Sequence, residues 1–364
     1  MLKSNKILVL AEDYPDLSGS VSLMYIHTRN IQYVKRGFDV VVLNFSAETN
    51  YQIDGIRVIT ERTYDEEKMQ YGLLILHAAN LKNYFRFLLK NGKRIKKFLF
   101  FYHGHEVMRI NRDYSRPYKF KKRGSIEFVL QDIYDSFKLL IWRMYLPRVA
   151  YKSYYVFVSE WMLGIFKKNL KISCEFLDNR YDITYNNVGK DFEVQYYDDL
   201  SDKKYDFVTI RANLDESKYA VDIVNRLAKN SPNCKFLLIG KGEYFLHYDK
   251  AENLEWRDIV LSHGEIISVL QSARFGLMPT RTDAQGLMMC EMAAFGIPVI
   301  TSDIQVCHEV FDGFKNVWFI DNDDLELSIE DFKAVASVCC KDDRFFMHRT
   351  VKKEISVISK LLKE

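Results

Sequence analysis

Pro279 to Asp303 reads PTRTDAQGLMMCEMAAFGIPVITSD, and the alternation in this stretch decides the fold. An apolar run ending at Met278 meets Pro279, and a polar loop then carries Asp283 and Gly286. Met288, Met289, Met292, Ala293 and Phe295 recur at helical spacing until Gly296 and Pro298 stop the helix. Val299 to Thr301 is the strand that follows, which makes a strand, loop, helix, strand unit. Two carboxylates, Asp283 and Glu291, stand on either side of the helix start. A helix N-terminus presents unpaired backbone N–H groups and a positive dipole end, which suits phosphate, and Glu291 lies about one and a half turns inside it. The stretch predicts an anion site with an acceptor carboxylate beside it.

Composition sets the frame for that unit. With 364 residues the chain is long enough for two domains, and 48% hydrophobic with 28% charged residues is ordinary for a globular protein, which excludes disorder. Its longest apolar runs are too short or too interrupted to span a bilayer, and the start MLKSNKILVLAEDY lacks the long apolar region and cleavage site of a signal peptide. A cytoplasmic protein is expected. The six cysteines show no CxxC spacing, so buried free thiols are expected and no metal site is assigned. The net charge of +3 hides an asymmetry, because Lys82 to Arg123 holds fourteen Lys or Arg against two acids. Clustered cations interleaved with aromatic residues fit either contact with an anionic membrane surface, on the inner face of the plasma membrane, or a solvated helical face, with the membrane contact preferred. No motif for nucleic acid accompanies the charge, so no nucleic-acid partner is expected.

Read in order, the chain repeats the strand, loop, helix alternation. Lys6 to Leu10 is an apolar run of the kind buried on both faces, followed by a loop and an amphipathic helix from about Val21 to Lys35. Gly19 and Ser20 lie just before that helix, where glycine lets backbone approach a ligand. Strands are predicted at Val40 to Phe45, Ile56 to Thr60 and Phe98 to Tyr102, with a long basic and aromatic helical region over Tyr71 to Lys97. The strand FLFFY delivers His103-Gly104-His105-Glu106 at its carboxyl end, the edge at which open α/β sheets bind ligands. A helix follows over Ile126 to Met144, and Val156 to Trp161 runs from strand into helix with Ser159 as its cap. Beyond an acidic spacer, strands are predicted at Tyr205 to Ile210, Phe236 to Gly240 and Ile259 to Leu261. The tail from about Leu325 reads as helical.

These residues carry a resemblance. The opening stretch is similar to the P-S-x-x-E-G-F-G-L…E…A-x-A-x-G-x-P-V-I-x-S-D pattern of the retaining GT-B glycosyltransferases of the GT4-like family (glycosyl transferases group 1). Here Asp283 stands where the first Glu usually is, and Gln285 replaces an aromatic residue. Gly37-Phe38-Asp39-Val40, His103 to Glu106, Val158-Ser159-Glu160-Trp161 and Ile183 to Val188 resemble further landmarks of that family, as does TIRANLDESKYAVDIV. The resemblance implies an α/β GT-B fold, two Rossmann-like domains with parallel sheets facing each other across a cleft. Residues 1–187 would form an acceptor-binding domain, with a C-terminal helix at about 345–364 packing back on it, and 188–344 a nucleotide-sugar donor-binding domain.

By the same resemblance, Arg211 and Lys218 clamp the donor diphosphate, although their spacing is two residues longer than usual. Gly240 and Gly242 line the nucleotide side, and the backbone of Gln285, Gly286, Leu287 and Met288 meets sugar and phosphate. Glu291 accepts the ribose hydroxyls, Asp283 a hydroxyl of the donor sugar, His103 approaches the transferred sugar, and Glu106 borders the acceptor side. The implied reaction moves a sugar from a nucleotide-diphosphate sugar to a glycan or lipid-linked acceptor with retention, in cell-surface polysaccharide or glycoconjugate synthesis. It needs no cofactor and no metal, since two fixed cations can neutralise a leaving diphosphate. Two other readings are a nucleotide-sugar 2-epimerase of GT-B architecture and a non-catalytic GT-B nucleotide-binding or scaffold protein.

Overall fold

The computed structural model describes residues 6–16, 23–122, 124–334 and 339–363. The chain divides into two compact units, one of 1–108, 134–187 and 347–364, the other of 109–133 and 188–346.

The first unit is built on eight strands, β1 (Lys6–Ala11), β2 (Asp39–Asn44), β3 (Tyr51–Ile53), β4 (Ile56–Ile59), β5 (Leu73–His77), β6 (Lys97–Tyr102), β7 (Ser153–Phe157) and β8 (Tyr181–Ile183). Their order is β3-β4-β2-β1-β5-β6-β7-β8, parallel throughout except for the antiparallel pair β3 and β4. The central strands are near-continuous apolar runs because helices cover a parallel sheet on both faces. The helix Met347–Lys363 belongs to this unit: Val351, Ile358 and Leu361 join the core around Ile7, Val9 and Ile75. Its Glu354 is fully buried and accepts from Arg29 Nε at 2.9 Å and from the Tyr33 hydroxyl at 2.5 Å.

The second unit carries β9 (Tyr205–Asn213), β10 (Phe236–Lys241), β11 (Leu254–Arg257), β12 (Ala273–Met278), β13 (Val299–Ser302) and β14 (Val317–Ile320). They form one parallel sheet in the order β11-β10-β9-β12-β13-β14. Its core packs Val221, Val224 and Leu227 of the helix Val221–Asn230 against Phe207, Leu238 and Phe275.

Four expectations change. The helical region expected over 71–97 contains β5, a central strand: Leu73 to His77 are all buried, and a short unbroken apolar run has no period by which strand and helix differ. Helical backbone begins only at Leu81. The strand expected at Ile259 to Leu261 lies instead at Leu254–Arg257, because Leu254 is buried whereas Ile259 and Val260 are exposed. The short strand Tyr51–Ile53 was not anticipated. Finally, 109–133 groups with the second unit, where Tyr118 enters the apolar core and its hydroxyl donates to Asp222 at 2.8 Å. Ser159 does cap its helix, accepting from the Met162 N–H at 3.1 Å.

Candidate functional site

In the second unit the chain runs from β9 through β10 and β11 on one side, then returns to β12 on the other side of β9, so the loops after β9 and β12 part at their carboxyl ends. A crevice at that edge is where open parallel sheets bind ligands. Arg211 lies near the end of β9 and Lys218 in the short turn Ser217–Tyr219, while the Pro279 loop and the helix Leu287–Phe295 follow β12. The two loops are laced together: the Lys218 carbonyl accepts from the Arg281 N–H at 2.9 Å and from Thr280 Oγ1 at 3.0 Å. Arg281 adds a two-pronged pair with Asp222, at 2.8 and 2.6 Å. Burial works against the Asp222 charge, but Arg281 and Tyr118 prevail and hold its carboxyl below the ordinary range.

Arg211 is buried, and its Nη2 donates to the Pro279 carbonyl at 2.7 Å. The guanidinium carbon sits 5.1 Å from the Tyr219 ring centroid. Burial lowers its pKa, with the Asp283 carboxylate opposing. Its Nε is buried with no hydrogen-bond partner among the described residues, a costly state for a charged donor unless an anion comes to it. Lys218 is half-buried and lies 2.9 Å from Glu216. Burial disfavours its charge, yet Tyr219 and Glu216 together hold its pKa above the ordinary value.

Gly286, in the left-handed region with φ 77°, caps the helix Leu287–Phe295 and, having no side chain, bonds none of its first N–H groups itself. The first N–H groups of a helix have no intrahelical acceptor, so Leu287 and Met288 offer donors at this edge. Gln285 is buried and its amide reaches Cys290 Sγ at 3.6 Å. Asp283 Oδ1 accepts from the N–H groups of Gln285 at 3.2 Å and Gly286 at 2.9 Å. One turn and more into the helix, Glu291 is buried, accepts the Gly189 N–H at 3.2 Å and lies 3.8 Å from His263 Nε2. Burial pushes its pKa up to about 7, with the Gly189 bond pulling the other way.

Gly240 and Gly242 follow from close backbone packing. A Cβ on Gly240 would lie 2.1 Å from the Arg211 carbonyl oxygen, and one on Gly242 would lie 2.6 Å from Asp215 Oδ1. Only glycine lets the end of β10 run this near β9, and the first contact sets where Arg211 stands.

The first unit holds the other two candidates. His103 follows β6, with its ring centroid 4.8 Å from that of Tyr25 and its Nε2 3.1 Å from Nδ1 of the buried His77. Burial first, and Arg29 next, hold the His103 pKa well below the usual imidazole value, so the ring is neutral at neutral pH. Glu106 is buried and accepts from the N–H groups of His103 at 2.7 Å and Gly104 at 2.6 Å. Both of its oxygens hold the loop that carries His103. Gly19 lies outside the described residues.

Residues 207–335 match the family model described as Glycosyl transferases group 1. The second unit thus carries a match to the group 1 glycosyltransferases. Solved structures resemble the whole chain at low identity. Sucrose-phosphate synthase from Thermosynechococcus elongatus aligns with a TM-score of 0.66 and 12% identity over 98% of this chain and 94% of that one. A glycosyltransferase from Rickettsia africae gives 0.67 and 11% over 99% of each. An Anabaena protein solved in complex with UDP and glucose gives 0.61 and 12% over 98% and 97%. These likenesses establish a GT-B fold. No curated protein matches the chain by sequence.

The candidate site also contains residues that sequence reading passed over. Tyr219 faces both cations, with Lys218 Nζ 4.8 Å from its ring centroid. Gly189 supplies the N–H to Glu291, and a Cβ there would lie 2.8 Å from the His263 ring. The glycine beside Val188 was a usable signal for close approach, whereas nothing local marks His263 or the Arg281 and Asp222 pair.

Proposed function

We propose that this glycosyltransferase moves a sugar from a nucleoside diphosphate sugar to a glycan or lipid-linked acceptor, with retention of configuration and without a metal. The observation that carries the reading is the meeting of Arg211, Lys218, the Asp283 to Met288 loop and Glu291 at one sheet edge of a group 1 domain. Arg211 directs its unpartnered Nε, and Lys218 its ammonium, to the diphosphate, where fixed cations stabilise the charge that grows as the sugar leaves. Backbone donors at the start of the helix Leu287–Phe295 hold the phosphate and sugar, and the Glu291 carboxylate accepts the ribose hydroxyls.

Asp283 keeps Oδ1 on its own loop, which leaves Oδ2 for a hydroxyl of the donor sugar. Neutral His103 meets the transferred sugar, and Glu106 acts on it only by holding the loop. Retention follows from attack on the face the diphosphate leaves, with a diphosphate oxygen taking the acceptor proton, so no carboxylate nucleophile is invoked. The acceptor is met at an anionic membrane surface through the basic segment 82–123, the glycosyltransferase working peripherally from the cytoplasmic side in cell-surface polysaccharide or glycoconjugate synthesis.

A panel of nucleotide sugars, with uridine diphosphate donors first because two similar structures were solved with UDP or a UDP sugar, tests the reaction by release of nucleoside diphosphate. Release that depends on an added acceptor is the expected result. Conversion of UDP-GlcNAc to UDP-ManNAc without stoichiometric sugar transfer would overturn it.

A further inference from the structure

A cavity of about 830 Å³ opens beside Lys218, within the roughly 300–1,000 Å³ of small-molecule sites. The described residues that line it all belong to the second unit, and come from the stretch 110–122, from Phe128 and from the turn that carries Lys218. The stretch is pinned to that turn. Ser115 Oγ lies 2.8 Å from Ser217 Oγ, and the Ser217 carbonyl accepts from Arg281 Nη1 at 2.9 Å. Tyr118 enters the core of the unit, and Lys121 pairs with Asp215 at 3.2 Å. Arg116, Lys119 and Lys122 alternate with these anchors along the chain, line the cavity and have no acidic partner among the described residues. Residues three apart eclipse in a 3₁₀ turn, so the turn Lys119–Lys121 sets Lys119 and the capping Lys122 on one side.

Charge and surface together identify the ligand. Among the described lining residues, four cations stand against one carboxylate, Glu216, which Lys218 already meets at 2.9 Å. Ile110, Pro117 and Phe128 give the same cavity an apolar wall, which an inorganic anion would leave unused. The diphosphate of a nucleoside diphosphate sugar carries one charge on each phosphate, and Arg211 and Lys218 answer both. The further cations beside Lys218 call for a second anion, and they offset its repulsion from the first. We propose that the cavity seats a second phosphate-bearing ligand, its phosphate or diphosphate on Arg116, Lys119 and Lys122 and its apolar group on Ile110, Pro117 and Phe128. In the reaction proposed above that ligand is the acceptor, held by its phosphate in the same unit as the donor.

The role as acceptor rests on the sugar transfer proposed above, whereas the binding itself does not. Geranyl diphosphate, a soluble diphosphate on an apolar chain, is titrated calorimetrically into the full chain, with and without saturating UDP and with no vesicle present. An acceptor must bind beside the donor, so the wild type should bind the probe in both conditions, about tenfold or more tighter than it binds inorganic pyrophosphate or geraniol. Affinity for the probe should fall about tenfold or more in the Arg116→Gln/Lys119→Gln/Lys122→Gln variant and about fivefold in Phe128→Ser, with UDP affinity and circular dichroism unchanged. Displacement of geranyl diphosphate by UDP would put the probe on the donor's own diphosphate site and overturn the inference. Pyrophosphate binding as tight as that of geranyl diphosphate, or affinity that the glutamine substitutions do not move, would overturn it as well. A wild type that binds geranyl diphosphate but no UDP would keep the cavity as a phosphate site and overturn the donor reading instead.

Discussion

Asp283 Oδ1 lies 2.9 Å from the backbone nitrogen of Gly286, the residue that starts the helix Leu287–Phe295. The carboxylate closes an Asx turn on the loop it belongs to. Where the family pattern has Glu, this chain has a shorter acid that shapes its own loop. Asp283→Asn keeps an oxygen for both N–H groups and should alter stability by less than about 0.5 kcal/mol, while Asp283→Ala should cost about 1–2 kcal/mol by freeing them. Donor turnover should fall in both, because each removes the charge beside Arg211. Thermal denaturation and turnover, measured together, separate the two effects.

Glu291 gives a dependence on pH. Its folded pKa of about 7 lies above the ordinary carboxyl value of 4.5. Below the lower value both states are protonated and nothing is lost. As pH rises between the two, the unfolded chain ionises first, so stability falls, by up to about 3 kcal/mol above pH 7. Chemical denaturation at pH 5 and pH 8 should show this fall in the wild type and a smaller one in Glu291→Gln. Nucleotide binding should run the other way, strengthening from pH 6 to pH 8, because ribose hydroxyls donate to the ionised carboxylate.

The glycines separate by what a methyl group would meet. At Gly240 it would strike the Arg211 carbonyl oxygen, a backbone atom, at 2.1 Å. At Gly286 it would strike the terminal methyl of Met289, which can turn away, leaving mainly the cost of a positive φ. Gly240→Ala should therefore cost more than about 2 kcal/mol and abolish nucleotide binding, whereas Gly286→Ala should cost about 1–2 kcal/mol and fold normally. Urea denaturation of both variants checks the order.

Much of this was legible in the sequence, and the misses have physical causes. The strand ends that carry Arg211, Gly240 and the Pro279 loop follow apolar runs bounded by polar loops, so their placement could be read from pattern. Leu73 to His77 could not, because the four apolar residues in a row from Leu73 to Leu76 fit a buried strand or a buried helix equally. The place of Tyr118 depends on Asp222, 104 positions away, a contact no local pattern encodes. The bonds that Glu106 accepts from the His103 and Gly104 N–H groups likewise arise from the three-dimensional turn at Gly104 and have no signature in the local pattern.

Arg29 and Glu354, 325 positions apart, form an ion pair with no exposed side-chain surface. Glu354→Ala leaves a buried guanidinium without its charge partner and should destabilise the first unit by about 3–5 kcal/mol. Replacing both residues with leucine should recover part of that loss. Hydrogen exchange of the helix Met347–Lys363 would read the change locally, and unchanged protection in Glu354→Ala would contradict the role of the pair.

Calorimetric titration of UDP into the wild type, Arg211→Ala and Glu291→Ala tests the donor site most directly, because it needs no acceptor. The wild type should bind UDP, with affinity at least about tenfold weaker in each variant, a loss of about 1.4 kcal/mol or more, and circular dichroism unchanged. Equal affinity in all three proteins would contradict the assignment of Arg211 to the diphosphate and Glu291 to the ribose.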